Sequence, residues 1–446
     1  MSQYLARRTP VQRGAAAWNE ILGPQDAARE LKENISADFC IVGAGFAGLT
    51  AARRLRQLVP DARIAVLEAE RVAEGAAGRN SGFMIDLPHD LASEDYAGAG
   101  DDRLVTRLNR KAIEFAAEAA SEYGIPADYF DPVGKVNGAV GQAGHGHNVS
   151  YAAHLKSLNE PHEILDAQQM AELTGSRHYV SGLFTPGTVM LQPAGYIRGL
   201  AAGLRSQGVE IYEKSAVISF EKQGAHWQVR TATGSVSAGK IILGVNGHLE
   251  SFGIAKGRLM QLFLFATMTE ELDAAARARL GGADRWGITP SDPMGTTMRR
   301  IDSGQGGHRI VTRTCAVLRP EMQSKARDLA RAERVMRDKF DQRFPNLRGT
   351  KMAYSWAGHL CLSLNGVAVA REVDQGVFSA CVQNGLGTAR GTLTGIAAAE
   401  LAAGKTCEIT QFFAQEAAPK RLPPRPFSEI GANVVLRWRE HKARDE

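Results

Sequence analysis

Six residues, Gly43-Ala44-Gly45-Phe46-Ala47-Gly48, stand between an apolar run at 39–42 and a segment with helical spacing. A glycine in the first position permits a tight turn out of a strand. One in the third lets backbone approach a pyrophosphate, and one in the sixth lets a helix pack closely on strands. The free N–H groups opening that helix would face phosphate oxygens. A second apolar run at 63–67 leads to Glu68 and Ala69. Glu68 lies 20 residues after Gly48. A carboxylate at that spacing accepts hydrogen bonds from ribose hydroxyls and disfavours a 2′-phosphate. Strand, glycine loop, helix, strand and acid in this order predict a dinucleotide-binding βαβ unit over 37–70, a far more specific signal than the glycines alone.

Three further glycine-rich junctions follow. Residues 74–84 form a loop of small residues, Gly75-Ala76-Ala77-Gly78-Arg79-Asn80-Ser81-Gly82, that ends in Phe83 and Met84. An apolar strand pattern at 240–245 ends in Gly244-Val245-Asn246-Gly247. Another at 377–382 leads through Gly385-Leu386-Gly387-Thr388 into a helix reaching 403. The N–H groups opening that last helix could stabilise negative charge near a cofactor ring.

The elements that must position these junctions follow from periodicity. Helices are expected at 103–124, 164–174 and 321–343, with short strands at 216–221 and 226–231. Residues 258–270 and 308–318 alternate like strands of a second, more antiparallel sheet. The order implies a leader (1–36) and a dinucleotide-binding domain in three pieces (37–95, 185–255 and 350–415). A second domain would fill the gaps (96–184 and 256–349), and a basic tail would close the chain (416–446).

Bulk properties narrow the function. The 446 residues are 44% hydrophobic and 23% charged, which suits a globular enzyme with sizeable cores. The net charge of +5 is dispersed and accompanies no recognition motif, so nucleic acid is not an expected partner. Five widely spaced cysteines without a C-x-x-C argue against a disulfide framework or a zinc site and favour a reducing, cytoplasmic setting. Arg7-Arg8 lacks the apolar segment of a twin-arginine signal, and no apolar run reaches the ~18 residues of a membrane span. His145, His147 and His154 are read as residues of a solvated glycine-rich loop, and no metal is expected. Gly404-Lys405-Thr406 is not a P-loop, because Ala399 stands where its first glycine should be.

The four junctions together resemble the FAD-dependent amine oxidases of the D-amino acid oxidase and sarcosine oxidase superfamily, with γ-glutamylputrescine oxidase-like members the nearest likeness. Residues 38–68 resemble its FAD fingerprint. Residues 75–82 resemble its G-A-S-G-R-N-G-G loop, which implies that Gly78, Arg79, Asn80, Ser81, Gly82, Phe83 and Met84 lie along the flavin. Val217 resembles a backbone contact to adenine. Gly244 and Gly247 resemble the turn that returns to FAD. Trp356, Gly358 and His359 fall in a segment similar to the family's W-x-G. Gly385, Leu386, Gly387 and Thr388 resemble the loop beneath the flavin's pyrimidine edge. Two departures stand out: Ser81-Gly82-Phe83 replaces two glycines and a polar residue, and Asn365-Gly366 replaces an Asp and a Pro.

The resemblance implies an α/β fold, a Rossmann-like FAD-binding domain with an inserted, mostly antiparallel β-sheet substrate domain of α+β type. It implies FAD held non-covalently, since the 79–81 loop has no His or Cys; Cys361 is the remaining residue weighed for a covalent bond. It further implies hydride transfer from the α-carbon of a primary or secondary amine to flavin. The resulting imine hydrolyses to a carbonyl product, and O2 reoxidises the flavin to give H2O2. On this reading Arg309 or Arg313 is the cation near the flavin, and Trp356 and Met84 wall the cavity. The expected partners are a small-molecule amine and O2, in a monomer or small homo-oligomer. Four alternatives remain open here. One is a D-amino acid or glycine-type deaminating oxidase, whose substrate carboxylate needs an Arg clamp from Arg299, Arg300, Arg309 or Arg313. The others are an amine dehydrogenase using another acceptor, an NAD dehydrogenase, and a flavin-binding subunit without turnover.

Overall fold

The computed structural model describes residues 3–88, 93, 97 and 100–446. Two large sheets organise them. In the first, five strands run parallel in the order Glu210–Tyr212, Ile64–Leu67, Asn34–Val42, Ser235–Leu243 and Val377–Cys381. Their C-terminal ends, at 39–42, 64–67, 241–243 and 377–381, are mostly apolar because both faces are covered there. Ile41 enters one core cluster, while Cys40 and Val42 enter another on the opposite side. Helices Phe46–Leu58 and Ala389–Ala402 share the first of these clusters. They meet closely, since a Cβ on Gly395 would lie 2.4 Å from the Ala47 carbonyl oxygen. The early and late glycine junctions therefore open two adjacent helices. An antiparallel ribbon, Ser219–Gln223 and His226–Arg230, extends the sheet, with Gln3–Leu5 at its edge.

The second sheet has eight strands, in the order Met352–Ser363, Leu259–Thr269, Arg309–Leu318, Thr297–Ile301, Trp286–Pro290, Lys135–Ala139, Ser181–Thr185 and Glu163–Asp166. Every pairing is antiparallel except Trp286–Pro290 on Lys135–Ala139. The expected α/β architecture with a mostly antiparallel second sheet is present.

Several expectations need correction. The sequence reading groups residues 350–415 with the dinucleotide-binding part. By hydrogen bonding, the Met352–Ser363 strand belongs to the second sheet, paired along its length with Leu259–Thr269. The histidine-bearing stretch is a helix, Gln142–Leu158, and not a loop. Asn148, Tyr151, Ala152 and Leu155 form its buried stripe, and that packing outweighs the glycine cost of about 1 kcal/mol per residue that hides the helix in the sequence. Among the described residues no three His, Cys, Asp or Glu side chains gather as a metal site. The helix expected at 164–174 starts later, as Ala167–Thr174. Asp166 and Gln169 cap it in a reciprocal box, which leaves Glu163–Asp166 free to be a strand. The helix expected from 321 runs Ala326–Arg343. The strand expected from 216 begins at Ser219, so Val217 lies in the connection before it.

The tail is ordered. Helix Phe427–Lys442 packs beside Arg309–Leu318, which loses its Thr297–Ile301 neighbour after residue 313. Side chains take over on that bare edge: Glu440 accepts from the Ala316 N–H (2.8 Å) and Asn433 from the Leu318 N–H (3.0 Å). Glu440 also pairs with Arg331 and Arg437. Glu440→Ala should therefore lower unfolding stability by about 1–3 kcal/mol in urea titrations, because it strands a backbone donor. An unchanged midpoint would show that the contact contributes nothing.

Candidate functional site

The first junction is built from backbone pressed on backbone. Gly43 adopts φ +101°, and a Cβ there would lie 2.7 Å from the Gly244 carbonyl oxygen. A Cβ on Gly48 would lie 1.8 Å from the Gly43 oxygen. Loop, helix and the end of the Ser235–Leu243 strand thus touch without side chains between them. Gly45 differs. A Cβ there would meet only the Ala77 methyl, at an ordinary 3.6 Å. Protein packing does not demand a glycine at this position, whereas a ligand approaching the backbone would. Gly45 opens helix Phe46–Leu58 with no side-chain cap, so the N–H groups of the first turn face outward as an anion cradle. Glu68 closes the crevice. Its carboxylate accepts from Ala44 N–H (2.8 Å) and Glu70 N–H (3.1 Å), and burial raises its pKa despite those bonds. Val217 is buried nearby in the cluster that holds Leu67 and Val42, while Ala69 is exposed. This donor set fits a dinucleotide.

The second junction is clamped from both ends. Asn80 accepts from the Gly82 N–H (2.7 Å) and donates to the Ala77 carbonyl (2.5 Å). Arg79 donates to the carbonyls of Glu74 (2.7 Å), Gly14 (2.8 Å) and Ala357 (3.3 Å), and burial lowers its pKa. The Trp356 indole donates to the Arg79 carbonyl (3.0 Å). Beyond it, Arg299 donates to the carbonyls of Ser81 (3.0 Å) and Leu191 (2.6 Å) and to Gln305 (3.1 Å). Its guanidinium lies 5.0 Å over the Trp18 ring, and burial pushes its pKa down to about 9. Gly82 must be glycine: its φ is +76°, and a Cβ would reach within 2.2 Å of the Arg299 guanidinium. Phe83 and Met84 then pair with Met190 and Val189.

The remaining junctions converge on this loop. The Thr388 hydroxyl donates to the Phe83 carbonyl (2.8 Å). Asn246 accepts from the Val382 N–H (3.2 Å), which joins the turn at Gly244–Gly247 to the junction at Gly385. Gln261 bridges the Gly247 carbonyl (3.0 Å) and the His359 ring (2.9 Å). Burial holds His359 neutral, with a pKa of about 3. Four motifs spread over more than 300 residues of sequence are thus joined by direct contacts.

A family model described as FAD-dependent oxidoreductase (DAO) matches residues 38–401. The chain belongs to the DAO family of FAD-dependent oxidoreductases. It is 26% identical to the γ-glutamylputrescine oxidoreductase of Escherichia coli (strain K12) over 409 residues, 89% of either chain. It is 24% identical to the probable oxidoreductase OrdL of Haemophilus influenzae over 384 residues, 84% of this chain and 85% of that one. Its fold is similar to that of a glycine oxidase from Geobacillus kaustophilus, with TM-score 0.69 and 16% identity over 87% of this chain and 100% of the other. FAD is the cofactor of this DAO-family protein.

Within this DAO-family fold the expected catalytic residues separate. Trp356 is only 1% exposed and spends its indole N–H on the Arg79 carbonyl. Its observed contact holds the loop. Met84 is fully buried in the same core, and Gly358 packs beneath Arg79. Arg313 pairs across the sheet with Ala266, which pairs with Trp356, so all three lie on one face. Arg309 sits at the end of its strand, and its guanidinium donates to the carbonyls of Thr269 (3.0 Å) and Gly306 (3.3 Å). Those bonds direct it to the rim of the sheet.

The sequence reading missed Lys135. It stands one residue before the Val136–Ile288 pairing, beside Gly287, where a Cβ would touch Phe83 and Met190. Lys135 is 3% exposed and hydrogen-bonds Asn137 and the Thr289 hydroxyl (3.3 Å). Burial pushes its pKa down from 10.5 to about 8. Nothing in its strand pattern marks it, since lysines in strands ordinarily reach solvent.

Two outcomes follow. Gly45→Val should leave the melting temperature of FAD-free protein nearly unchanged while weakening FAD binding at least about tenfold. Gly48→Ala should lower stability itself, by about 1–3 kcal/mol, through overpacking. Equal effects of both on the FAD-free fold would contradict the distinction. For Lys135 the native pKa lies below the unfolded one, so the unfolded chain binds more protons between about pH 8 and 10.5. Stability should rise with pH across that window, and Lys135→Met should remove this part of the rise in urea titrations at pH 7.5 and 10.

Proposed function

We propose that this DAO-family protein oxidises a small primary or secondary amine that lacks an α-carboxylate, with O2 as electron acceptor. The observation that carries the reading is the commitment of the arginines. A deaminating amino acid oxidase needs a guanidinium offered to the substrate carboxylate. Arg299 is tied to Ser81, Leu191 and Gln305, and Arg300 to Gly281 and Asp284. Arg309 is tied to Thr269 and Gly306. Three of the four arginines weighed for a clamp thus hold the protein's own carbonyls, and the fourth, Arg313, is read as the cation beside the flavin. The name of the Escherichia coli relative, a γ-glutamylputrescine oxidoreductase, points to an amine whose amine-bearing carbon on the putrescine arm carries no carboxylate.

Gly43, Gly45, Gly48 and Glu68 would hold the dinucleotide, and residues 79–84 with Gly385, Leu386, Gly387 and Thr388 the ring system. The chemistry supplied by bound FAD is hydride acceptance from the carbon bearing the amine, leaving an imine that water converts to a carbonyl compound, with O2 reduced to H2O2. The chain's own contribution is position and field. Arg79, Trp356 and Arg299 fix the loop. Lys135 and Arg313 place positive charge on the sheet face that the loop covers. The helix opening after Thr388 adds the partial positive charge of its N-terminus. Cys361 lies fully buried with its thiol pKa raised well above the ordinary value, which supports non-covalent binding. All five cysteines are free thiols, which supports a reducing, cytoplasmic setting.

An anaerobic reduction screen tests the reading. The yellow protein is mixed without oxygen with alkylamines, diamines, N-methylated amines, glycine and D-amino acids. Bleaching of the flavin band by an amine, reversed by air with release of H2O2, is the expected result. Bleaching by glycine or a D-amino acid alone would move the function to the deaminating class. Bleaching by none of them would overturn amine oxidation.

A further inference from the structure

The C-terminal helix carries an apolar face that nothing among the described residues covers. Phe427 is 75% exposed, Ile430 60%, Val434 62% and Trp438 62%, with Val435 at 49%. At about 100° per residue, Phe427, Ile430, Val434 and Trp438 fall within about 80° of one another. Arg437 and Arg439 flank this stripe on its two sides, and Lys442 extends it in the last turn. Lys420 and Arg421 are exposed just ahead of the helix. Both carboxylates of the helix, Glu429 and Glu440, project from the opposite side. There Asn433 and Glu440 bond the Arg309–Leu318 edge, and Glu440 also holds Arg331 and Arg437. The helix is therefore fixed in orientation, with its acids and the paired Arg437 turned inward and Trp438, Arg439 and Lys442 turned out.

We propose that this face docks the enzyme onto an anionic lipid surface, with the helix lying in the interface plane. An apolar stripe with an aromatic residue and basic flanks has the composition of an interfacial helix. Long arginine stems allow the guanidiniums to reach headgroups while the stripe enters the acyl boundary. The charge pattern favours lipid over a second copy of the chain. A two-fold pairing with the helices parallel would bring Arg439 and Lys442 against the same cations, whereas an anionic surface offers them opposite charge along the whole face. The helix has 16 residues and is not apolar around its circumference, and no described helix is long and apolar enough to cross a membrane. The docking is peripheral.

The test uses the flavin-loaded full chain. Its co-sedimentation is measured with phosphatidylcholine vesicles, and with vesicles in which about a third of the lipid is phosphatidylglycerol, at low and high salt. Sedimentation velocity runs alongside. The expected result is binding to the anionic vesicles, weakened by salt. The double substitution Val434→Glu with Trp438→Glu should weaken it at least about tenfold. Both sites are exposed, so retention of flavin and melting temperature checks that the variant is folded. Absence of binding to anionic vesicles by the folded, flavin-loaded chain would overturn the proposal. So would a dimer that the double substitution dissociates without any vesicle binding, which would make the face a self-association surface.

Discussion

The fold hangs on one contact, the backbone-to-backbone packing of Gly43 against Gly48 and Gly244. A methyl group on Gly48 would lie 1.8 Å from the Gly43 oxygen, well inside any tolerable approach. That contact sets the angle at which helix Phe46–Leu58 leaves its strand. It thereby aims the uncapped N–H groups of the helix into the crevice beside Glu68. It also presses the end of the Ser235–Leu243 strand against the loop, so the Gly244–Gly247 turn reaches the same crevice. Gly395 repeats the device between the two helices, and this brings the Gly385 junction alongside the first. The glycine junctions of this protein are brought together foremost by how closely main chains can approach.

A second constraint joins the two sheets. Arg79 and Arg299 are largely desolvated, yet their strongest contacts are backbone carbonyls and one amide side chain. An unpaired cation is costly to bury, and several charge-assisted hydrogen bonds offset that cost while fixing geometry. Each guanidinium binds segments far apart in sequence: Gly14, Glu74 and Ala357 for one, Ser81, Leu191 and Gln305 for the other. The loop expected along the flavin is held to the second sheet through these two residues and Trp356. Charge here serves rigidity at the boundary between the two sheets.

The first βαβ unit was legible in the sequence except for the start of its first strand, Asn34–Ser36, which was read as leader because it is polar; the other parts have local signatures: apolar runs, helical spacing, glycines at fixed offsets and a terminal acid. The loop at 75–82 was legible through resemblance. The second sheet was legible in kind but not in order, since local hairpins are joined by long-range pairings, as between Lys135–Ala139 and Trp286–Pro290, which lie more than 100 residues apart. The same long-range pairing drew Met352–Ser363 out of the segment to which its neighbours belong. Helix Gln142–Leu158 was hidden because glycines and histidines interrupt its pattern, while tertiary packing decides its state. The charged residues were least legible. Arg299 and Lys135 sit in strands whose alternation says only that one face differs from the other. Which face meets the loop is decided by elements elsewhere in the chain. Arg309 has the same kind of sequence context as Arg313 and ends at the rim.

The central claim is that the Gly43–Gly48–Gly244 contact and Glu68 form a cradle for the nucleotide half of FAD. The most direct measurement is calorimetric titration of FAD-free protein with FAD and, separately, with FMN, which carries the flavin without the adenylate half. The account predicts one FAD bound per chain, with FMN weaker by about a hundredfold or more, since FMN makes no use of the helix cradle's second phosphate or of the Glu68 ribose contact. Equal affinity for the two, or failure of the folded chain to bind FAD, would contradict it.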